Sequence, residues 1–144
     1  MRVLLFLLLP VLLMSQNSKI DSLVTLLELN KKDEKLLISI GESYASQKKW
    51  DSAIFYYNKL VAINPNNANY LYRLGGSQAA HSESASTFKV LSLINSAKEN
   101  LIKSSNIDKS DIYSRWALVQ ILLELPSFFG GDDDLALKFS DEIY

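Results

Sequence analysis

The sequence predicts an all-α protein: a right-handed stack of antiparallel helical hairpins. Three observations lead there. Leu37-x-x-Ile40-Gly41 returns as Leu71-x-x-Leu74-Gly75 after thirty-four residues, a period of the size that marks hairpin stacked on hairpin. Apolar residues recur at helical spacing, beginning with Ile20, Leu23, Val24 and Leu27. Small residues pair off along the chain, Gly41 with Ala53 and Gly75 with Ala97, at places where two helices crossing closely leave no room for a larger side chain.

The elements follow in order. Met1-Arg2 is a short positive start, Val3 to Met14 is almost unbroken Leu, Val and Phe, and Ser15-Gln16-Asn17-Ser18 is polar. This layout predicts a signal peptide over 1–15, cleaved near Ser15–Gln16, and hence an exported protein in a bacterial periplasm or secreted. A retained N-terminal membrane anchor is the alternative, but the apolar run falls short of the ~20 residues a bilayer requires. The mature domain, 16–144, carries no further candidate membrane span. Its leading helix is expected over 18–30 with Ser18 as N-cap, covering the first apolar edge as terminal repeats must.

A full repeat is expected over 34–67. Leu37, Ile40, Gly41 and Tyr44 form one face of its first helix, with Tyr44 and Tyr57 filling the wider ends of the crossing. Gln47-Lys48-Lys49-Trp50 makes the turn, Asp51 or Ser52 caps the second helix, and Pro65 ends it by pushing Asn64 out of helical geometry. A divergent repeat spans 68–111. Ala97 follows Ala53, and Ile107 follows Ile63, by forty-four residues, so about ten residues are inserted near 81–91. Phe88, Leu91, Ile94, Ala97 and Leu101 keep helical spacing, which predicts a second helix lengthened at its start. Its Pro is lost, which predicts a less sharp end. A partial repeat, 112–144, has Trp116, Ala117, Val119, Leu122 and Leu123 as its expected apolar face, with Trp116 or Tyr113 in the leading aromatic place. Asp132 to Asp134 begin a last helix, where carboxylates meet its positive end. Leu135, Leu137, Phe139 and Ile143 leave that edge without an obvious lid, so the chain is expected to continue as a longer array or to be covered by another chain.

The unit Leu37-x-x-Ile40-Gly41-x-x-Tyr44, Ala53-x-x-x-Tyr57, Pro65 resembles the tetratricopeptide repeat, with Leu37 for its Trp and Tyr57 for its Phe. The resemblance implies a concave groove lined by the first helices of successive hairpins, holding a peptide or a partner helix. It places Lys35, Ile38, Glu42, Ala45, Asn69, Tyr72, Gly76 and Ala79 on that groove, with Arg73 beside them. The subgroup that clamps acidic chaperone tails has an amide where Glu42 stands, so such tails are not the expected partner; a modest amphipathic partner is.

Other chemistry finds little support. A net charge of −1 lacks the basic face of a nucleic-acid binder, and the absence of Cys removes thiolate metal sites and cysteine nucleophiles. The lone His81 has no second His beside it to make a metal site, and no Gly-x-Ser-x-Gly turn exposes a nucleophile near it. In Phe128-Phe129-Gly130-Gly131-Asp132-Asp133-Asp134 the alternating ligands of a calcium loop are missing, so the acids read as a cap. The expected function is a non-catalytic protein-interaction module without metal or cofactor. The rival is a structural subunit of an envelope assembly, joined through the C-terminal helical edge.

Overall fold

The computed structural model describes residues 18–143, and the expected signal segment and its cleavage point lie outside them. Among the described residues every regular element is helical: α1 (18–29), α2 (Glu34–Ser46), α3 (Trp50–Ile63), α4 (Ala68–Ser82), α5 (Thr87–Ile107), α6 (Ile112–Glu124), a 3-10 turn (Ser127–Phe129) and α7 (Asp133–Asp141). Each helix packs on its neighbour in sequence from α2 onward, and α4 also touches α6. That is a stack of hairpins, α2–α3, α4–α5 and α6–α7, with α1 at the leading edge.

The starts of the first helices share one device. Asp33, Asn67 and Asp111 stand in extended conformation and accept from Leu36 N, Tyr70 N and Tyr113 N respectively, supplying an acceptor to an otherwise orphaned N–H. The ends of the second helices also correspond. Asn64 leaves α3 with φ −136° before Pro65, and Asp108 leaves α5 with φ −113°. The end of α5 is as sharp as that of α3, contrary to expectation, because Asp108 Oδ1 accepts from Ser110 N at 2.9 Å and Ser110 Oγ at 2.7 Å. An Asx turn does what the proline does.

Two apolar clusters form the core. Leu27, Leu37, Ile40, Ala53, Tyr57, Leu60, Tyr70 and Leu74 make one; Ile94, Ala97, Leu101, Leu118, Ile121, Leu122, Ala136 and Phe139 make the other. They meet where α4 lies on α5. A Cβ on Gly75 would sit 2.9 Å from Leu101 Cγ and 3.0 Å from Ala97 O, so only glycine permits that approach. Polar bonds follow the same seam, Asn100 Nδ2 to Gln78 Oε1 at 2.9 Å and Ser104 Oγ to Ala68 O at 2.7 Å.

Several local expectations are corrected. Ser18 lies inside α1, not at its cap. The N-cap of α3 is Lys49, without a side-chain bond, because the turn through Lys48 at φ 56° brings helical geometry on before Asp51 or Ser52. Tyr44 stacks on Tyr56 with centroids 5.7 Å apart, while Tyr57 covers Gly41 instead. The lengthened α5 has 21 residues against 14 in α3, but its first turns overhang the stack: Phe88 is 97% exposed, and Leu91 is also open.

The largest correction concerns α6. Its buried face is Ser114, Arg115, Leu118, Ile121 and Leu122, whereas Trp116 is 56% exposed and Leu123 and Tyr113 are exposed too. Arg115 takes the place that Leu37 and Leu71 hold in the earlier units. It is 2% exposed, and its guanidinium donates to Asp111 O at 2.6 Å, Ser105 O at 2.9 Å and Glu142 Oε2 at 3.1 Å. At the C-terminal edge, Ala136 and Phe139 pack on α6 and Leu137 is largely exposed. The edge is therefore smaller than the sequence suggests.

Candidate protein-binding groove

Residues 69, 72, 76 and 79 recur every three or four positions along α4, and so share one side of the helix, with the C-cap Glu83 next in the series. On α6 the facing set is Tyr113, Ala117, Gln120 and Glu124, with Trp116 exposed on the same helix. Two clefts run between these helices. One, of about 480 Å³, is lined by Asn69, Tyr72, Asp108, Ser110, Asp111 and Tyr113. The other, of about 410 Å³, has walls of Gly76, Ala79, Ala80, Ala117 and Gln120, Val90 and Ile94 of α5 alongside, and Glu83 and Glu124 among its lining residues. The rings of Tyr72 and Tyr113 are 6.1 Å apart and join the two sides of the groove.

Six of the nine residues that the sequence places on or beside the groove fall in three groups. Glu42, Asn69 and Arg73 form one polar network: Arg73 Nη1 donates to Glu42 Oε1 at 2.6 Å and Arg73 Nε to Asn69 Oδ1 at 2.7 Å. The Arg73 cation is thereby engaged by Glu42 and is not held ready for an incoming carboxylate. Lys35 is exposed and Ile38 half-buried on α2, and Ile38 packs against the first core cluster. Tyr72 stands apart from the polar network, against Tyr113. Beneath this face Tyr70 donates its hydroxyl to Glu34, a bond that with burial and the Glu34 charge pushes its pKa up to about 12. Tyr57 is also raised, chiefly by burial, with Arg73 pulling the other way.

Gln120 and Glu124 are not named from the sequence, and Tyr113 and Trp116 are named there as core, not as groove. The signal for them is present: Leu71 and Leu74 recur as Arg115 and Leu118 after forty-four residues, the step already set by Ala53 and Ala97. It is masked because an arginine occupies a core position beside a tryptophan that does not.

Away from the groove, His81 Nδ1 faces Asp51 Oδ1 at 3.7 Å and has no hydrogen-bond partner. Ser82 Oγ bonds Ala79 O and Ser84 Oγ bonds His81 O, so neither serine hydroxyl addresses the imidazole. Gly130, at φ 91°, ends the 3-10 turn, and Lys98 Nζ donates to its carbonyl at 2.7 Å. Asp132 accepts from Leu135 N at 2.9 Å as the cap of α7. No helix among the described residues is long and apolar enough to cross a membrane.

Residues 34–67 match the family Tetratricopeptide repeat. No curated protein matches the chain. Among solved structures, that titled "Crystal structure of MamA" is similar at 16% identity over 89% of this chain and 86% of that one, with a TM-score of 0.42. The hairpin α2–α3, with Gly41 under Tyr57 and Asn64 turning the chain out before Pro65, is the structure of the matched segment. Residues 34–67 are thus a tetratricopeptide repeat in sequence and a helical hairpin in structure, and the rest of the described chain forms helices packed in series on it.

Proposed function

We propose that this protein binds another polypeptide, as an extended peptide or a helix, along the face formed by α2, α4 and α6. Repeats of this family generally mediate protein–protein interaction. The observation that carries the finer reading is the Tyr72–Tyr113 pair, with Trp116 exposed one turn along α6, next to small residues at Gly76, Ala79 and Ala117. Half-exposed aromatics beside a floor of minimal side chains supply contact area at low conformational cost, the usual make-up of a binding hot spot.

Export is part of the same proposal, supported by the basic, apolar and polar order of the first eighteen residues. Amino-terminal sequencing of the chain recovered from the cell envelope should then begin near Gln16. The rival assembly through the C-terminal edge has less to stand on along α7, where Phe139 is packed and Leu137 is the exposed large apolar residue.

A photo-crosslinking amino acid placed at Trp116 or Tyr72 tests the groove directly, with Phe55, exposed on α3, as the comparison position. Crosslinks to a partner should form from the groove positions and not from Phe55. The reverse pattern, or equal yields from all three, overturns the assignment.

A further inference from the structure

The α4–α6 half of the groove has carboxylates at both ends and a nearly chargeless middle. Asp108 and Asp111 line the cleft at the α6 N-terminus. Their side chains accept from neutral donors, Ser110, Tyr113 N and Ser114 Oγ. The Ser110 hydroxyl and N–H, both donating to Asp108, hold its carboxyl below its ordinary value. The nearby Arg115 cation is buried and already paired with Glu142. At the other end Glu83 and Glu124 line the second cleft with no cation among its lining residues. Neither makes an ion pair within the described residues. Between them lie Tyr72, Tyr113, Gly76, Ala79 and Ala117.

Gly76 is the informative residue of this middle. A Cβ built there meets nothing within 4 Å, unlike Gly41 and Gly75, whose missing side chains are dictated by packing inside the fold. A glycine inside a helix weakens it, and here no neighbour in the fold requires the loss.

We propose that this half-groove takes a polypeptide segment with a bulky apolar centre flanked on both sides by basic side chains. The apolar centre seats over Gly76, and the bases meet Asp108 and Asp111 at one end and Glu83 and Glu124 at the other. This rests on the groove reading above and adds the chemistry of the occupant. Thirteen residues of α6 separate Asp111 from Glu124, about 20 Å along a helix axis, which roughly six extended residues span.

The test uses the full chain and two fluorescent peptides of equal length, each with a central Trp-Leu pair, one ending in arginines and the other in glutamates. In anisotropy titrations the basic peptide should bind roughly tenfold or more tightly than the acidic one, with an advantage that shrinks as salt rises. Gly76→Leu should weaken it by roughly tenfold, the scale of one filled seat, while the melting temperature holds or rises. Glu83→Lys with Glu124→Lys should remove most of the preference for the basic peptide. Equal or tighter binding of the acidic peptide overturns the proposal, as does no binding of the basic one at about 1 mM, or wild-type affinity in Gly76→Leu. If the groove crosslinks of the preceding section still form while these results fail, the groove stands and this occupant falls. If the crosslinks also fail, the groove itself is wrong.

Discussion

Gly41 and Gly76 stand on the first helices of successive hairpins, yet a methyl group added to each meets opposite surroundings. At Gly41 it would overlap the ring of Tyr57, which is itself buried between α2 and α3 and has little freedom to move. Gly41→Ala should therefore lower stability by about 1–3 kcal/mol, as overpacking does. At Gly76 nothing is in reach, and Gly76→Ala should raise stability by up to about 1 kcal/mol through helix propensity. Urea denaturation of both variants checks the pair; two changes of the same sign would mean that the packing at one glycine is misassigned. Tyr70 is held in its neutral form by its surroundings. Its pKa is raised from 10.0 to about 12, first by its bond to Glu34, so the fold favours the neutral phenol over the unfolded chain. That contribution is complete below pH 10 and is lost as pH rises toward 12. Thermal melts from pH 9 to 12 should show a loss of stability that is smaller in Tyr70→Phe. An identical alkaline profile in that variant would place the titration elsewhere.

Elements in this chain are set by their ends as much as by their apolar faces. Asp33, Asn67 and Asp111 cap three helices at spacings of thirty-four and forty-four residues, so the caps carry the repeat register where the apolar pattern blurs. Asp111 has the most bonds of the three: its Oδ1 accepts from Tyr113 N, its Oδ2 from Ser114 Oγ, and its carbonyl from Arg115. Asp111→Ala should lower stability by about 1–2 kcal/mol, whereas Asp111→Asn, which keeps the acceptor, should recover most of it. Equal melting temperatures for the two variants would remove the capping argument. The same residues show what the sequence made legible. Hairpin α2–α3 was readable because each core place holds an apolar or small residue whose identity matches its role. On α6 the apolar spacing points one position away from the buried face, because Arg115 is buried only by virtue of carbonyls and a carboxylate supplied by α5, the α6 cap and the turn after α7. No spacing within α6 announces those partners. Positions on the candidate face of α2 and α4 are therefore reachable by register, while Tyr113 and Trp116, exposed on α6, fall into the expected core. The overhang of α5 was hidden for a related reason: Phe88 and Leu91 keep helical spacing but extend past the end of their partner helices.

At the scale of the whole molecule, two clusters are joined along one seam, and that arrangement governs how the chain comes apart. The first cluster belongs to α1 through α4, and the second to α5 through α7. Between them stand the Gly75 crossing and the Gln78–Asn100 and Ala68–Ser104 bonds. In a stacked array each hairpin draws stability from itself and its immediate neighbours, so damage at one end should fade across the seam. Phe139→Ala removes a buried ring that packs α7 against Leu118, Ile121 and Leu122, a loss of about 3–5 kcal/mol for a core phenylalanine. Native-state hydrogen exchange should then show α6 and α7 opening with much reduced protection, α5 partly affected, and α2 and α3 close to the wild-type rate. A uniform loss of protection across all the helices would mean that the two clusters behave as a single cooperative core. The groove proposal would change with it, because an α4–α6 face that opens locally can admit a partner helix by displacing α6, whereas a face in one rigid core must accept its occupant from outside.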